Sequence, residues 1–233
     1  MKINLDNRLA AVASFVPAGK VVADIGTDHA YLPVYLIVNG IAPYIIASDC
    51  ANGPLEGSRR LLELLSLEKK IDLRMGNGLS VLEPDEAQVV CIAGMGGRTI
   101  CEIMLTSPQV ALSVERFILQ PQRNVSVLRR FLQDNGYKIV AEEMVFEKGF
   151  YYVIMAVERG QMQLNTQEIE YGPLLLKNGH PFLAPCLRLK LGDIEQILQR
   201  LSNKNGKEVA ARVRCLKDEA ERIREVLSNM PKL

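Results

Sequence analysis

Val21-Val22-Ala23-Asp24-Ile25-Gly26-Thr27-Asp28-His29-Ala30 is the stretch on which the fold of this chain turns. An apolar β-rich run enters an acid and a glycine, and a helical pattern opens within a few positions, so a buried strand passes directly into a helix. In open α/β sheets ligands bind beyond the carboxyl ends of the strands. Gly26 lets the backbone pass close to such a ligand without a side-chain clash. A dinucleotide site asks for G-x-G-x-x-G, with pyrophosphate seated at the helix N-terminus. This turn offers Gly26 alone, and it places the Asp28 carboxylate where a phosphate would be repelled. Asp24 and Asp28 suit instead a ligand that carries an ammonium and a sulfonium, which favours S-adenosyl-L-methionine over NAD. The plain alternative is a tight turn in which Asp28 caps the helix.

Working outward, the strand occupies residues 20–25, preceded by a packing helix over 9–16 and followed by a helix over 30–39. Strand patterns recur at 43–48, 71–75, 88–93 and 116–119, with helices predicted over 54–67, 98–105 and 125–135, the last stopped by Gly136. Residues 138–147 and 150–158 read as two adjacent strands joined by a hairpin turn at Glu147-Lys148-Gly149. Alternation of this kind implies a parallel sheet, because parallel neighbours need crossover helices. The closing hairpin departs from it and adds an antiparallel strand at the edge. The expected fold is α/β: a Rossmann-like seven-stranded methyltransferase sheet, mostly parallel with an antiparallel edge strand. From Thr166 onward strands give way to two apolar stripes at helical spacing. One is Leu187, Leu191, Ile194, Leu198, Leu201, and the other Val209, Val213, Leu216, Ala220, Ile223, Leu227. They suggest an antiparallel, coiled-coil-like helical hairpin turning at 203–206. The expected division is a catalytic, cofactor-binding domain over 1–160 and a small helical domain over 161–233.

Composition narrows the partners. The 233 residues are 48% hydrophobic with a net charge of +1, which fits one α/β domain plus an appendage and excludes a uniformly basic or acidic chain. The five cysteines are scattered, odd in number and never paired as C-x-x-C, so neither a zinc cluster nor a disulfide framework is expected, and a reducing, cytoplasmic setting is. The apolar stretch 9–16 is too short, and too closely preceded by Asp6 and Arg8, for a signal peptide. No run approaches the roughly 20 apolar residues of a membrane span.

Further chemistry sits at the ends of the later strands. Asp49 closes the second strand, where an acid can accept hydrogen bonds from two ribose hydroxyls. Asn77 and Gly78 follow the third strand, in a loop suited to reading an adenine edge or else an ordinary Asn-Gly turn. Gly94-Met95-Gly96-Gly97 follows the fourth, and glycines there let a donor and an acceptor both approach the backbone. Gln120 and its neighbours bring polar groups to the same rim. The cofactor-binding candidates are therefore Asp24, Gly26, Thr27, Asp28, His29, Asp49, Asn77, Gly78, Gly94, Met95 and Gly96. His29 and His180 lack metal-ligand spacing, and no metal is expected.

Taken together, Asp24-Ile-Gly-Thr-Asp-His-Ala-Tyr-Leu-Pro33, Ala47-Ser-Asp49, Gly76-Asn-Gly-Leu79, Ala93-Gly-Met-Gly-Gly97, Leu119-Gln-Pro121 and Glu170-Tyr-Gly-Pro173 resemble the bacterial tRNA (adenine-22-N1)-methyltransferases over nearly the whole chain. The resemblance implies S-adenosyl-L-methionine as cofactor, tRNA as partner, methylation of adenine N1, and Asp28 as the catalytic acid-base or electrostatic group. The chain departs from the family at Asn77, where many relatives carry an acid, and at Gln122-Arg123-Asn124, where Asn does not directly follow the proline. A tRNA grip fits the charge distribution. Residues 186–233 hold 11 Lys and Arg against 7 Asp and Glu, a net of +4, which leaves −3 on the remainder. Gln120 and the cations Arg188, Lys190, Arg200, Lys204, Lys207, Arg212 and Arg214 are the substrate-binding candidates. Rival readings are a methyltransferase acting on another RNA, a protein or a small molecule, and a non-catalytic RNA-binding relative.

Overall fold

The computed structural model describes residues 4–202 and 206–230. They divide into two compact units, Met1–Gln163 and Leu164–Leu233.

The first unit is built on seven strands: β1 (Val22–Ile25), β2 (Ile45–Asp49), β3 (Ile71–Met75), β4 (Val89–Gly96), β5 (Arg116–Arg123), β6 (Tyr137–Glu147) and β7 (Phe150–Arg159). They form one sheet in the order β3-β2-β1-β4-β5-β7-β6. β1 to β5 are mutually parallel, and β7 runs antiparallel to both β5 and β6. The closing hairpin therefore supplies the edge with β6 outermost. Its turn places Lys148 at φ +50° and Gly149 at φ +86°, the left-handed pair that matches the twist of a two-residue hairpin.

Val22–Ile25 and Val89–Ile92 are buried throughout, which is why they read as unbroken apolar runs rather than alternating ones. Helices cover both faces. α1 (Asn7–Ser14), α2 (Tyr31–Val38) and α3 (Asn52–Leu65) lie on one, with a core of Val12, Val34, Leu36, Leu62 and Ile118. α4 (Gly97–Thr106), α5 (Pro108–Ser113) and α6 (Val125–Asp134) lie on the other, around Ile92, Ile100, Phe117, Leu128 and Leu132. The chain builds outward from β1 to β3, then returns to lay β4 on the other side of β1. That reversal opens a crevice at the carboxyl ends of β1 and β4, where doubly wound sheets bind ligands.

β4 and β5 run further than their apolar patterns suggest, into Gly94-Met95-Gly96 and Gln120-Pro121-Gln122. Bulges between Ala93 and Gly96 carry the pairing past the glycines. One buried ion pair locks α6 to the outer hairpin. Arg129 Nε donates to Glu142 Oε1 at 3.0 Å, with the two side chains 1% and 0% exposed.

The second unit contains α7 (Thr166–Tyr171), α8 (Pro173–Lys177), α9 (Leu183–Leu201) and α10 (Lys207–Asn229). α7 opens with a capping box between Asn165 and Glu168, and Gly172, at φ +100°, turns the chain before Pro173. α9 buries Leu187 and Ile194, and α10 buries Leu216, Ala220, Ile223 and Val226. Across the pair, Lys190 bridges Glu219 at 2.6 Å and Arg224 bridges Glu195 at 2.8 Å.

Candidate active site

The turn after β1 is shaped by backbone demands. Gly26 sits at φ +78°, and a Cβ there would drive into the Met95 Sδ-methyl group. The amides of Gly26 and Thr27 both donate to the Ser48 carbonyl at 2.8 Å, tying the turn to the end of β2. Asp28 (φ +52°) and Ala30 (φ +54°) are left-handed without being glycine, a conformation that costs an ordinary residue about 1–2 kcal/mol. Two contacts hold Asp28 there: its amide donates to Asp49 Oδ2 at 3.2 Å, and its carbonyl accepts from Ser58 Oγ at 2.9 Å. The N-cap of α2 is Ala30, with no side-chain cap. Asp28 is thus not the helix cap, and its exposed carboxylate lies 3.6 Å from the imidazole of His29.

Asp49 stitches two loops together, because its other oxygen accepts from the Ala51 amide at 2.9 Å. A carboxylate offers about four lone-pair sites, so capacity remains for hydroxyl donors. Asp24, 5% exposed, is the acid beneath the turn. Burial pushes its carboxyl up to about 6, the nearby Thr27 hydroxyl opposes this, and the Asp49 carboxylate adds to it. The Thr27 hydroxyl lies close enough to act on Asp24 electrostatically, yet forms no hydrogen bond of good geometry.

These turns converge. A cavity of about 510 Å³ is lined by Asp24, Gly26, Thr27 and Asp28 after β1, by Asp49 after β2, by Asn77 and Gly78 after β3, and by Gly94 and Met95 at the end of β4. Nine of the eleven cofactor-binding candidates thus share one wall system. His29 and Gly96 do not. His29 packs toward Gly57 of α3, and Gly96 faces Arg123 and Thr99. Gly97 proves equally constrained, since a Cβ there would strike the Asn124 carbonyl.

Gln120 lies elsewhere than a substrate contact would. It is fully buried and still paired with Ala93 in the sheet, and its Oε1 accepts from the Gly94 amide at 3.0 Å and from Arg8 Nη1 at 2.8 Å. The glutamine that reaches the cavity is Gln122. Arg8, from the first turn of α1, also lines the cavity and is the sole cation among the lining residues. No motif marks it. It stands in an ordinary amphipathic helix, and only the fold brings it beside Gly94.

Among the substrate candidates of the second unit, Arg188, Arg200, Lys207, Arg212 and Arg214 are exposed. Lys190 spends its ammonium on Glu219 and staples α9 to α10. Lys204 lies outside the described residues. Among the described residues no group of three or more His, Cys, Asp or Glu is placed to hold a metal ion, and no helix is long and apolar enough to cross a membrane.

A seven-stranded sheet with an antiparallel strand beside β5, and a glycine-and-carboxylate cradle at its switch point, defines a Rossmann-like methyltransferase; residues 5–155 match the family described as "Methyltransferase domain". Over 98% of its length the chain is 31% identical to the tRNA (adenine(22)-N(1))-methyltransferase of Bacillus subtilis (strain 168), covering 99% of that protein. The crystal structure of the B. subtilis m1A22 tRNA methyltransferase TrmK superposes with a TM-score of 0.89 at 30% identity, covering 97% of this chain and 100% of that one. Streptococcus pneumoniae Sp1610, solved in complex with S-adenosyl-L-methionine, superposes with a TM-score of 0.88 at 36% identity, covering 96% and 100%. The chain belongs to the family of tRNA (adenine(22)-N(1))-methyltransferases.

Proposed function

We propose that this protein methylates N1 of adenine 22 in tRNA, using S-adenosyl-L-methionine, in the cytoplasm. The observation that carries the reading is the charge pattern of one cavity. Asp24, Asp28 and Asp49 line it together with a single cation, Arg8, and the donor bears two positive groups and one carboxylate.

The residues present fit the donor. The cavity falls within the 300–1,000 Å³ usual for cofactor sites. Ser48 and Thr27 add buried hydroxyls to its wall that have no partner among the described residues, as expected where a ligand completes the hydrogen bonding. Asp49 is placed for the ribose hydroxyls and Asn77 for the adenine edge. Asp24 faces the cationic methionine end, and Arg8 takes its carboxylate. Gly26 and Gly94 keep the floor free of side chains.

When bound, the donor supplies an electrophilic methyl group for in-line displacement by N1 of the target adenine. Attack through the N1 lone pair leaves the base cationic, and the exposed Asp28 carboxylate lowers that cost by accepting a hydrogen bond from N6–H. Much of the rate comes from the walls holding the reactants in line. The exposed cations of the second unit, Arg188, Arg200, Lys207, Arg212 and Arg214, meet tRNA phosphates.

Incubating the protein with unmodified tRNA and labelled donor, followed by nucleoside mass spectrometry, tests this directly. The expected product is 1-methyladenosine at position 22. A different nucleoside, or no label in RNA, overturns the reading.

A further inference from the structure

The β6–β7 hairpin ends on the same side of the sheet as the donor cavity, because β6 runs in the direction of the parallel strands. Its tip is unusually aromatic, with Phe146, Phe150, Tyr151 and Tyr152 within seven residues. Register sorts them. Val145 opposes Tyr152 and Glu147 opposes Phe150, so these four side chains share one face, while Phe146 opposes Tyr151 on the other. The first face is the one turned to α1. Glu147 accepts from the amides of Asn7 and Arg8 there at 3.2 and 3.4 Å, and Val145 packs into the core that α1 helps to build.

From the cavity, a continuous row of π-faces and charge leads outward along this face. Arg8 lines the cavity, and its guanidinium carbon stands 5.9 Å from the centre of the Tyr152 ring. Tyr152 is 6.4 Å from Phe150, which is 65% exposed, and the exposed Lys148 follows in the turn. Phe150 gains nothing from burial where it stands, and the hairpin does not require it, since the turn is set by Lys148 and Gly149. Exposed aromatics interleaved with cations are the recurring means of gripping unpaired nucleotides. Stacking on a ring accepts any base, and the cation meets the backbone. A target adenine inside folded tRNA must leave its stack to be methylated, and its neighbours then lose a stacking partner.

We infer that Phe150 and Tyr152, flanked by Arg8 and Lys148, form a stacking platform for an unpaired nucleotide adjoining the methylated base. The inference rests on the tRNA reading above and deepens it.

The chain contains no tryptophan, so Phe150→Trp gives a single indole reporter at the tip. Unmodified tRNA quenches and saturates its fluorescence, whereas donor alone leaves it unchanged. Phe150→Ala and Phe150→Leu raise KM for tRNA about 5- to 150-fold, the range set by loss of one stacked base. Donor affinity by calorimetry stays constant, and Phe150→Trp restores KM. Phe150→Leu separates stacking from simple apolar contact, and so exposed a site does not threaten folding. The inference is overturned by a KM unchanged in Phe150→Ala together with an indole blind to tRNA. It is equally overturned by an indole that responds to protein concentration instead, which would make the tip a protein contact. An inactive wild type condemns the methylation reading, while the indole titration still decides whether RNA stacks at the tip.

Discussion

Replacing Asp24 by asparagine should raise the stability of the free protein at neutral pH while weakening donor binding. Asp24 is almost fully buried, and its carboxyl is displaced from 3.8 to about 6, chiefly by burial, against the Thr27 hydroxyl and with help from Asp49. Between those two values the native state holds a proton that the unfolded chain has released. Stability therefore falls as pH rises through the window, the reverse of a salt-bridged aspartate. At about 1.4 kcal/mol per pH unit, the interval amounts to about 3 kcal/mol, fully lost above pH 6 and recovered below 4. Asparagine does not titrate, so the stability difference between variant and wild type should shift by about 3 kcal/mol in the variant's favour from pH 3 to pH 8. For a domain of this size that corresponds to about 6–12 °C in Tm. Comparing the two pH values cancels any constant cost of the amide itself. Thermal unfolding of both proteins across the range measures it. At pH 8 the variant should also bind S-adenosyl-L-methionine about ten- to a hundredfold more weakly, from losing a hydrogen bond to a charged group. Wild-type binding near pH 6 should release protons, seen as a binding enthalpy that depends on the buffer. Parallel pH profiles for the two proteins would refute the assignment of a costly buried charge to Asp24.

The other residues give sharper single outcomes. Asp28→Ala should lower kcat about 10²- to 10⁴-fold with donor affinity nearly unchanged, and undiminished turnover would remove Asp28 from the chemistry. Arg8→Met should weaken S-adenosyl-L-methionine about ten- to a hundredfold but leave the decarboxylated donor unaffected; equal losses for both ligands in calorimetry would mean that Arg8 does not meet the carboxylate. Arg129→Ala removes the buried guanidinium that Glu142 accepts from and should cost about 3–5 kcal/mol in denaturant unfolding, whereas Arg129→Met with Glu142→Leu should recover most of it. Maleimide should label the exposed Cys50 and Cys215 quickly and the buried Cys91 hardly at all, since burial pushes its thiol well above the usual range. Donor should protect Cys50, which lines the cavity, and leave Cys215 reactive; unprotected Cys50 would place the donor elsewhere.

The sequence makes the backbone of this site legible and its long-range contacts obscure. β3 begins and ends where its pattern does, at 71–75, because apolar residues alternating with Asp72 and Arg74, bounded by Lys69-Lys70 and an Asn-Gly turn, leave little choice. The turns at Gly26, Asp49 and Gly94 are legible for a related reason: close approach and positive φ select glycine, and strand ends at a switch point select acids. Arg8 is not legible, because its partner Gln120 is 112 residues away and nothing local distinguishes it from any helix-terminal cation. Of the polar groups expected together at the rim after the fifth strand, Gln122 reaches it and Gln120 does not. Pro121 suggests that the strand has ended, yet β5 continues to Arg123, which buries the first glutamine and leaves the second at the rim. Lys190 likewise reads as a free cation until the acid on the neighbouring helix appears.

On the proposed reading, the donor site and the catalytic group are built from one strained piece of chain. Asp28 occupies a left-handed conformation that glycine would adopt at lower cost, and on the proposed reading its carboxylate is the group that serves the chemistry. Its amide is satisfied by Asp49 and its carbonyl by Ser58, while α2 does without its carboxylate as a cap. Every backbone group of Asp28 is thus held, and the carboxylate alone is left facing outward. Asp49, the acid proposed to hold the donor's ribose, is the same group that fixes the Asp28 amide. If the donor sits on Asp49 and the target base reaches Asp28, as proposed, the two would meet across this single hydrogen bond, with the geometry of transfer set by the fold before either arrives.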